Sequence, residues 1–156
     1  MSHTTYINEV KITNLYALRS ACAELQRTTG VKLSITANAV PKAYFNNQAG
    51  LSEAAALVLA VEGAPYEIGV YPASKAGEYE LRADLYSGAR IQQVLGVPGG
   101  RPAGDPTVST AQTYLGRLLQ MYAVHATEQA VLANGGQSER VAQNDGTIQL
   151  VIRQAA

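Results

Sequence analysis

The residues of this chain whose chemistry could reach beyond packing are two histidines, one cysteine and one run of carboxylates. His3 and His125 are the only histidines, and Cys22 the only thiol, in 156 residues. Imidazole can bind a metal or carry protons near neutral pH, but a zinc site needs three or four ligands. Two histidines, one cysteine and no carboxylate at a fixed spacing fall short of that, so neither a metal site nor a cofactor is expected. Cys22 lies in helical register with Leu18 and Leu25 and has no activating neighbour, which makes it a packing residue rather than a nucleophile. Glu78, Glu80 and Asp84 share one face of an extended segment with Arg82. Carboxylates so placed suit metal or acid–base work, yet a solvated sheet face produces the same alternation. The glycines and Arg101 of GVPGGRPAGDPT at 96–107 suggest a phosphate cradle. No Lys-Ser or Lys-Thr follows, however, and prolines remove amides that would hold the anion, so a surface loop is expected.

Positioning these groups falls to short strands and two long helices. Thr110 to Ala133 is the longest periodic segment, with Leu115, Leu118, Leu119, Met121 and Tyr122 at helical spacing and Ala126 and Ala130 continuing the stripe. Ser109 with Gln112 forms a capping-box start, and Asn134-Gly135-Gly136 a left-handed stop. An earlier helix begins at the Asn14 cap, buries Leu15, Leu18, Cys22 and Leu25, and ends before Gly30. Thr4 to Ile12 reads as a strand with Tyr6, Val10 and Ile12 on one face and Ile7, Glu9 and Lys11 on the other. Val31, Leu33, Ile35 and Ala37 alternate as a second strand. After Pro41 a turn-rich stretch carries Tyr44 and Phe45, expected to pack over a core edge. A strand from Leu57, another through Tyr66, Ile68 and Val70, and a third through Tyr79, Leu81, Ala83 and Leu85 make a meander. A short helix at 89–95 follows. Asn144-Asp145-Gly146 closes a final hairpin that turns Ile148, Leu150 and Ile152 toward the core.

The expected architecture is a single α+β domain over 1–156: one antiparallel-rich sheet, two main helices on one face, and a Pro/Gly-rich loop at 96–107. A ferredoxin-like arrangement is the nearest common plan. Twelve basic and twelve acidic residues leave the formal charge at zero. No Lys/Arg cluster with interleaved aromatics appears, which disfavours nucleic acid and anionic membranes as partners. Low charge gives little colloidal protection and tilts expectation toward self-association. One cysteine excludes an intrachain disulfide and fits a cytoplasmic or stromal setting. MSHTTYINEV lacks a signal-peptide pattern, and the longest apolar run is far short of the ~20 residues that span a bilayer.

Four stretches together resemble a known family: MSH at Met1 to His3, YEIGVY with GEYELRADLY between Tyr66 and Tyr86, QMYAVH at Gln120 to His125, and DGTIQLVIR at Asp145 to Arg153. Their order and spacing are similar to the plastid and cyanobacterial family called hypothetical chloroplast reading frame thirty-five, a domain of unknown function. Gln120, Tyr122, Ala123 and His125 fall on its Q-x-Y-A-x-H pattern. The resemblance implies a compact α+β domain, cytoplasmic or stromal, with no established activity. Thr4 stands where the family usually has an aromatic, a C-terminal aromatic is missing, the 96–107 loop looks inserted and charge is lower, as in a divergent viral or bacterial member.

The leading functional expectation is a non-catalytic protein-interaction or assembly module. Nine tyrosines without a tryptophan supply amphipathic rings suited to contacts, and Tyr71 and Tyr86 are the candidate interface. The alternative is a small-molecule-binding protein or enzyme whose pocket gathers His3, Gln120, Tyr122 and His125. Nucleic-acid binding through the sheet face ranks third, because paired aromatics flanked by basic residues are lacking.

Overall fold

The computed structural model of the chain describes residues 4–97 and 110–154. In order these are β1 (Thr4–Ile12), α1 (Leu15–Thr29), β2 (Leu33–Ala39), β3 (Ala55–Val61), β4 (Ile68–Pro72), β5 (Tyr79–Asp84), α2 (Ala89–Leu95), α3 (Thr110–Ala133), β6 (Gln137–Ala142) and β7 (Ile148–Arg153). Five strands make one antiparallel sheet in the order β1-β5-β4-β3-β2, and β6 with β7 forms a separate two-stranded sheet. The architecture is α+β. The βαββαβ order of the ferredoxin-like plan is left after β3, because β4 and β5 follow directly without an intervening helix. Instead α1 carries the chain from one sheet edge to the other, and β2 to β5 return as a meander.

Local chemistry sets the helix ends. The Asn14 side chain accepts a hydrogen bond from the Ala17 N–H, and Gly30, at φ 73°, returns its N–H to the Gln26 carbonyl. A left-handed residue there costs glycine nothing and any other residue strain. α3 stops as expected: Gly135 adopts φ 77° and Gly136 donates to the Val131 carbonyl at 2.9 Å. The Ser109 cap and most of the 96–107 loop lie outside the described residues. Toward its end the buried stripe of α3 runs through Val124 and Val131 rather than through Ala126, which is half-buried, and Ala130, which is exposed.

One face of the sheet and the helices share a single core. Ile7, Leu57, Leu59, Ile68, Val70, Leu81 and Ala83 meet Leu18, Cys22 and Leu25 of α1 and Leu115 and Leu118 of α3 there. In β1 the expected face assignment is corrected. Ile7 pairs with Leu81 and Ile12 with Tyr79, so five steps along β1 match two along β5. The irregularity swaps faces partway: Ile7 and Ile12 are both buried, while Tyr6 is 51% exposed.

Two further expectations are overturned. The second sheet face is not open to water. Residues 40–54 fold across it and enclose Leu51, Ala55, Val58 and Tyr71 in a smaller cluster. Gly69 makes room for this cover, since a Cβ there would strike the Tyr71 ring and Pro41. The β6–β7 hairpin, for its part, does not extend the main sheet. The Gly136 turn folds it back along α3, so Ile148 and Leu150 are only half-buried and Ile152 is 44% exposed.

Candidate functional site

The residues expected to form one polar site are dispersed: His125 and Tyr122 have separate structural partners, and Gln120 lines a cleft apart from both. His3 lies outside the described residues. His125 Nε2 is 2.8 Å from Glu24 Oε1. Arg140 of β6 completes a network: its Nη1 reaches both Glu24 oxygens at 3.0 and 2.8 Å, and its Nε and Nη2 bind the Glu128 carboxylate at 2.8 Å each. Arg140 thus ties α1, α3 and the hairpin together. Burial works to raise the Glu24 carboxyl, but hydrogen bonds from Arg140 and His125 outweigh it and the group sits below its ordinary 4.5. Arg140 also holds Glu128 below the same value, chiefly by hydrogen bonding.

Tyr122 points elsewhere. Its hydroxyl accepts from the Thr13 N–H at 2.9 Å and the Asn14 N–H at 3.2 Å, and Asn14 Nδ2 donates to Gln129 Oε1 at 2.9 Å. These bonds fix the β1–α1 corner. Tyr122→Phe removes the acceptor for both amides and is expected to lower stability by about 1 kcal/mol, read as a shift of the urea midpoint at constant slope. Gln120 lines a cleft of about 330 Å³ with Arg117, Asp145 and Thr147, whose walls include neither Tyr122 nor His125. Cys22 is buried as expected, and burial pushes its thiol up to about 12, against a lowering pull from Arg19. A thiol so held stays protonated and unreactive.

Of the two candidate interface tyrosines, one is exposed and the other buried. Tyr71 is 3% exposed, with its hydroxyl donating to the Glu53 carbonyl at 2.8 Å. It was expected at the surface because strand alternation alone does not show the 40–54 cover. Tyr86 is 52% exposed and stands in a group that includes Tyr44 at 54% and Phe45 at 53%. The Tyr44 ring centre lies 4.7 Å from Phe45, 5.9 Å from Tyr86 and 6.4 Å from Tyr66, all at interplanar angles of 75–82°. Tyr44 and Phe45 therefore do not close over the core. They stand in the solvent on the covering segment.

Beneath this group lies Asp84, 0% exposed. Its Oδ1 accepts from the Tyr86 N–H at 3.0 Å and its Oδ2 from the Tyr44 N–H at 3.2 Å. With its amide turned to satisfy both neighbours, Gln48 donates to Asp84 Oδ2 at 3.0 Å and accepts from Thr4 Oγ1 at 3.2 Å. Glu80, four residues back along β5, is half-buried. The expected solvated carboxylate face is thus a covered one, with Asp84 as the anchor of the cover. Arg82 is equally engaged: its guanidinium carbon lies 4.9 Å from the Tyr6 ring centre and 4.4 Å from that of Tyr71. Its Nε binds Glu80 at 2.9 Å and its Nη1 the Gly50 carbonyl at 3.2 Å. Among the described residues no group of three His, Cys, Asp or Glu side chains is placed to hold a metal ion, and no helix is long and apolar enough to cross a membrane.

The fold and surface define an α+β domain with an exposed aromatic group on a loop laced to the sheet. No family model matches the chain, and neither the curated proteins nor the solved structures compared with it give a match.

Proposed function

We propose that the chain is a non-catalytic protein-interaction module that docks a partner protein, or its own copy, through the aromatic group at Tyr44, Phe45, Tyr66 and Tyr86. The supporting observation is that three large rings standing together are each more than half exposed. Scattered apolar residues need no explanation, whereas a grouped patch does. Covering the open half of each ring removes on the order of 100 Å² from water, worth roughly 2.5 kcal/mol per ring at about 25 cal/mol/Å². Three rings then supply roughly 7 kcal/mol, comparable with the ~4–15 kcal/mol that association costs. This magnitude fits an exchangeable contact reinforced by its rim. A reducing compartment, cytoplasmic or stromal, agrees with the single buried thiol, and membership of the plastid and cyanobacterial family belongs to the same proposal.

The test compares wild-type protein with the Tyr44→Ser/Phe45→Ser double variant, by light scattering on a sizing column and by affinity capture from host lysate. Both changes sit on exposed rings, so the circular dichroism spectrum should be unaltered. The expected result is an oligomer or stoichiometric partner that wild type holds and the variant loses. Identical elution and identical captured proteins for the two chains would overturn the proposal.

A small-molecule reading is favoured by the cleft that contains Gln120 and Arg117, whose volume of about 330 Å³ lies within the range of ligand pockets.

A further inference from the structure

We infer that the aromatic group receives a guanidinium: the docking partner presents an arginine side chain to the corner formed by Tyr44, Tyr66 and Tyr86. This rests on the docking proposal and adds the partner's chemistry. Three observations carry it. The first is geometric. A guanidinium is attracted when it lies within about 6 Å of a ring centre over an open face. Tyr44 meets Tyr86 edge-to-face at 5.9 Å and 82°, and Tyr66 at 6.4 Å and 75°, and with Tyr44 54% and Tyr86 52% exposed one side chain at this surface can lie within that reach of both rings.

The second is electrostatic. Asp84 is fully buried beneath the rings, and its hydrogen-bond donors are all neutral: two backbone amides and the Gln48 side chain. Among the described residues no Lys or Arg forms an ion pair with it. Arg82, two residues away on the same strand face, is committed to Glu80 and the Gly50 carbonyl. A buried carboxylate without a countercharge leaves a negative potential at the surface above it, where ring faces are also negative. Its reach shows at Tyr66, whose hydroxyl is raised above its ordinary value first by desolvation and next by Asp84. Glu67, adjoining Tyr66, adds a second carboxylate at the rim, turned to the Lys42 amide at 2.8 Å.

The third is internal precedent. On the same sheet face the chain already holds one guanidinium, that of Arg82, between Tyr6 and Tyr71. Arginine suits the outer corner better than a compact ammonium because its plane stacks on a ring while its edge donates to tyrosine hydroxyls.

The test is an amide-resolved NMR titration of the full chain with a blocked Gly-Arg-Gly peptide and its citrulline counterpart, which keeps the shape and removes the charge. The expected result is saturable shifts at Tyr44, Phe45 and Tyr86 in the millimolar range, about fivefold weaker with citrulline. Tyr86→Leu, an exposed change that leaves the fold intact, should weaken the arginine peptide about threefold, and so should Asp84→Asn if it folds. Equal responses to the two peptides, shifts confined to another surface, or no shift at 50 mM peptide would each overturn the inference. If these arms fail while the Tyr44→Ser/Phe45→Ser variant still loses its partner, docking stands and the cation does not. If both fail, neither stands.

Discussion

Asp84→Ala is expected to cost about 3 kcal/mol of stability, the largest single effect on the second sheet face. The carboxylate is wholly buried and receives three N–H groups, from Tyr44, Tyr86 and Gln48. Alanine leaves all three without an acceptor, at about 1–3 kcal/mol for each donor that water cannot reach. Partial hydration of the loosened 40–54 segment brings the sum back toward about 3 kcal/mol. Asp84→Asn keeps one acceptor oxygen but turns an amide toward a backbone donor, and should lose about 2 kcal/mol. Urea denaturation followed by circular dichroism reads both. A value for Asp84→Ala within 0.5 kcal/mol of wild type would show that the cover is held by other contacts.

Arg140→Ala should cost about 2 kcal/mol at neutral pH, between the under ~1 kcal/mol of an exposed pair and the ~3–5 kcal/mol of breaking a fully buried one. The Arg140 side chain is 31% exposed and its partners Glu24 and Glu128 12% and 23%. Without it two carboxylates face each other across α1 and α3, with the His125 ring beside Glu24. The sign of the pH dependence follows from the lowered pKa of both carboxyls. Groups that lose protons more readily when folded add stability above their unfolded value near 4.5, and that stability vanishes as pH falls through their folded values. The gap between wild type and Arg140→Ala should therefore be full above about pH 5 and shrink steadily below about pH 4. A gap that stays constant from pH 7 to pH 3 would mean that Arg140 acts through packing of its stem rather than its charge.

Helix positions were legible because their signals are local. Asn14, Gly30 and Gly135 act on the residues beside them, and Thr110–Ala133 has the length and period of one buried helix. The strands were found for the same reason. Their partners were not, because register and order depend on residues far apart in the chain, as with Ile12 and Tyr79. The covered second face did leave a trace: AALVLAV in β3 is apolar without alternation, the mark of a strand buried on both sides. Read locally, it gave only a strand from Leu57. Clean alternation of Glu78, Glu80 and Asp84 similarly hid a buried carboxylate, since period two says which face a residue takes and nothing about what lies over it. The aromatic group was half visible. Tyr86 was singled out, but its neighbours, the adjacent Tyr44 and Phe45 and the more distant Tyr66, lie in two other segments that the 40–54 cover brings to it.

The sheet order also dictates when its parts can form. Strand β1 has one partner, β5, and the pairing joins Thr4 to Asp84, whereas β2 through β5 pair with their neighbours in sequence. Local pairings close small loops and form early, while distant ones wait for them. On a ribosome β1 emerges before the other four strands of its sheet and is the last of the five to be seated, since about 80 residues must follow it before its partner exists, and at ~5–20 residues per second that is a wait of several seconds. During it Ile7 and Ile12 lack their cover, and the bulge and the polar Asn8 and Lys11 keep β1 a poor template for another chain's strand.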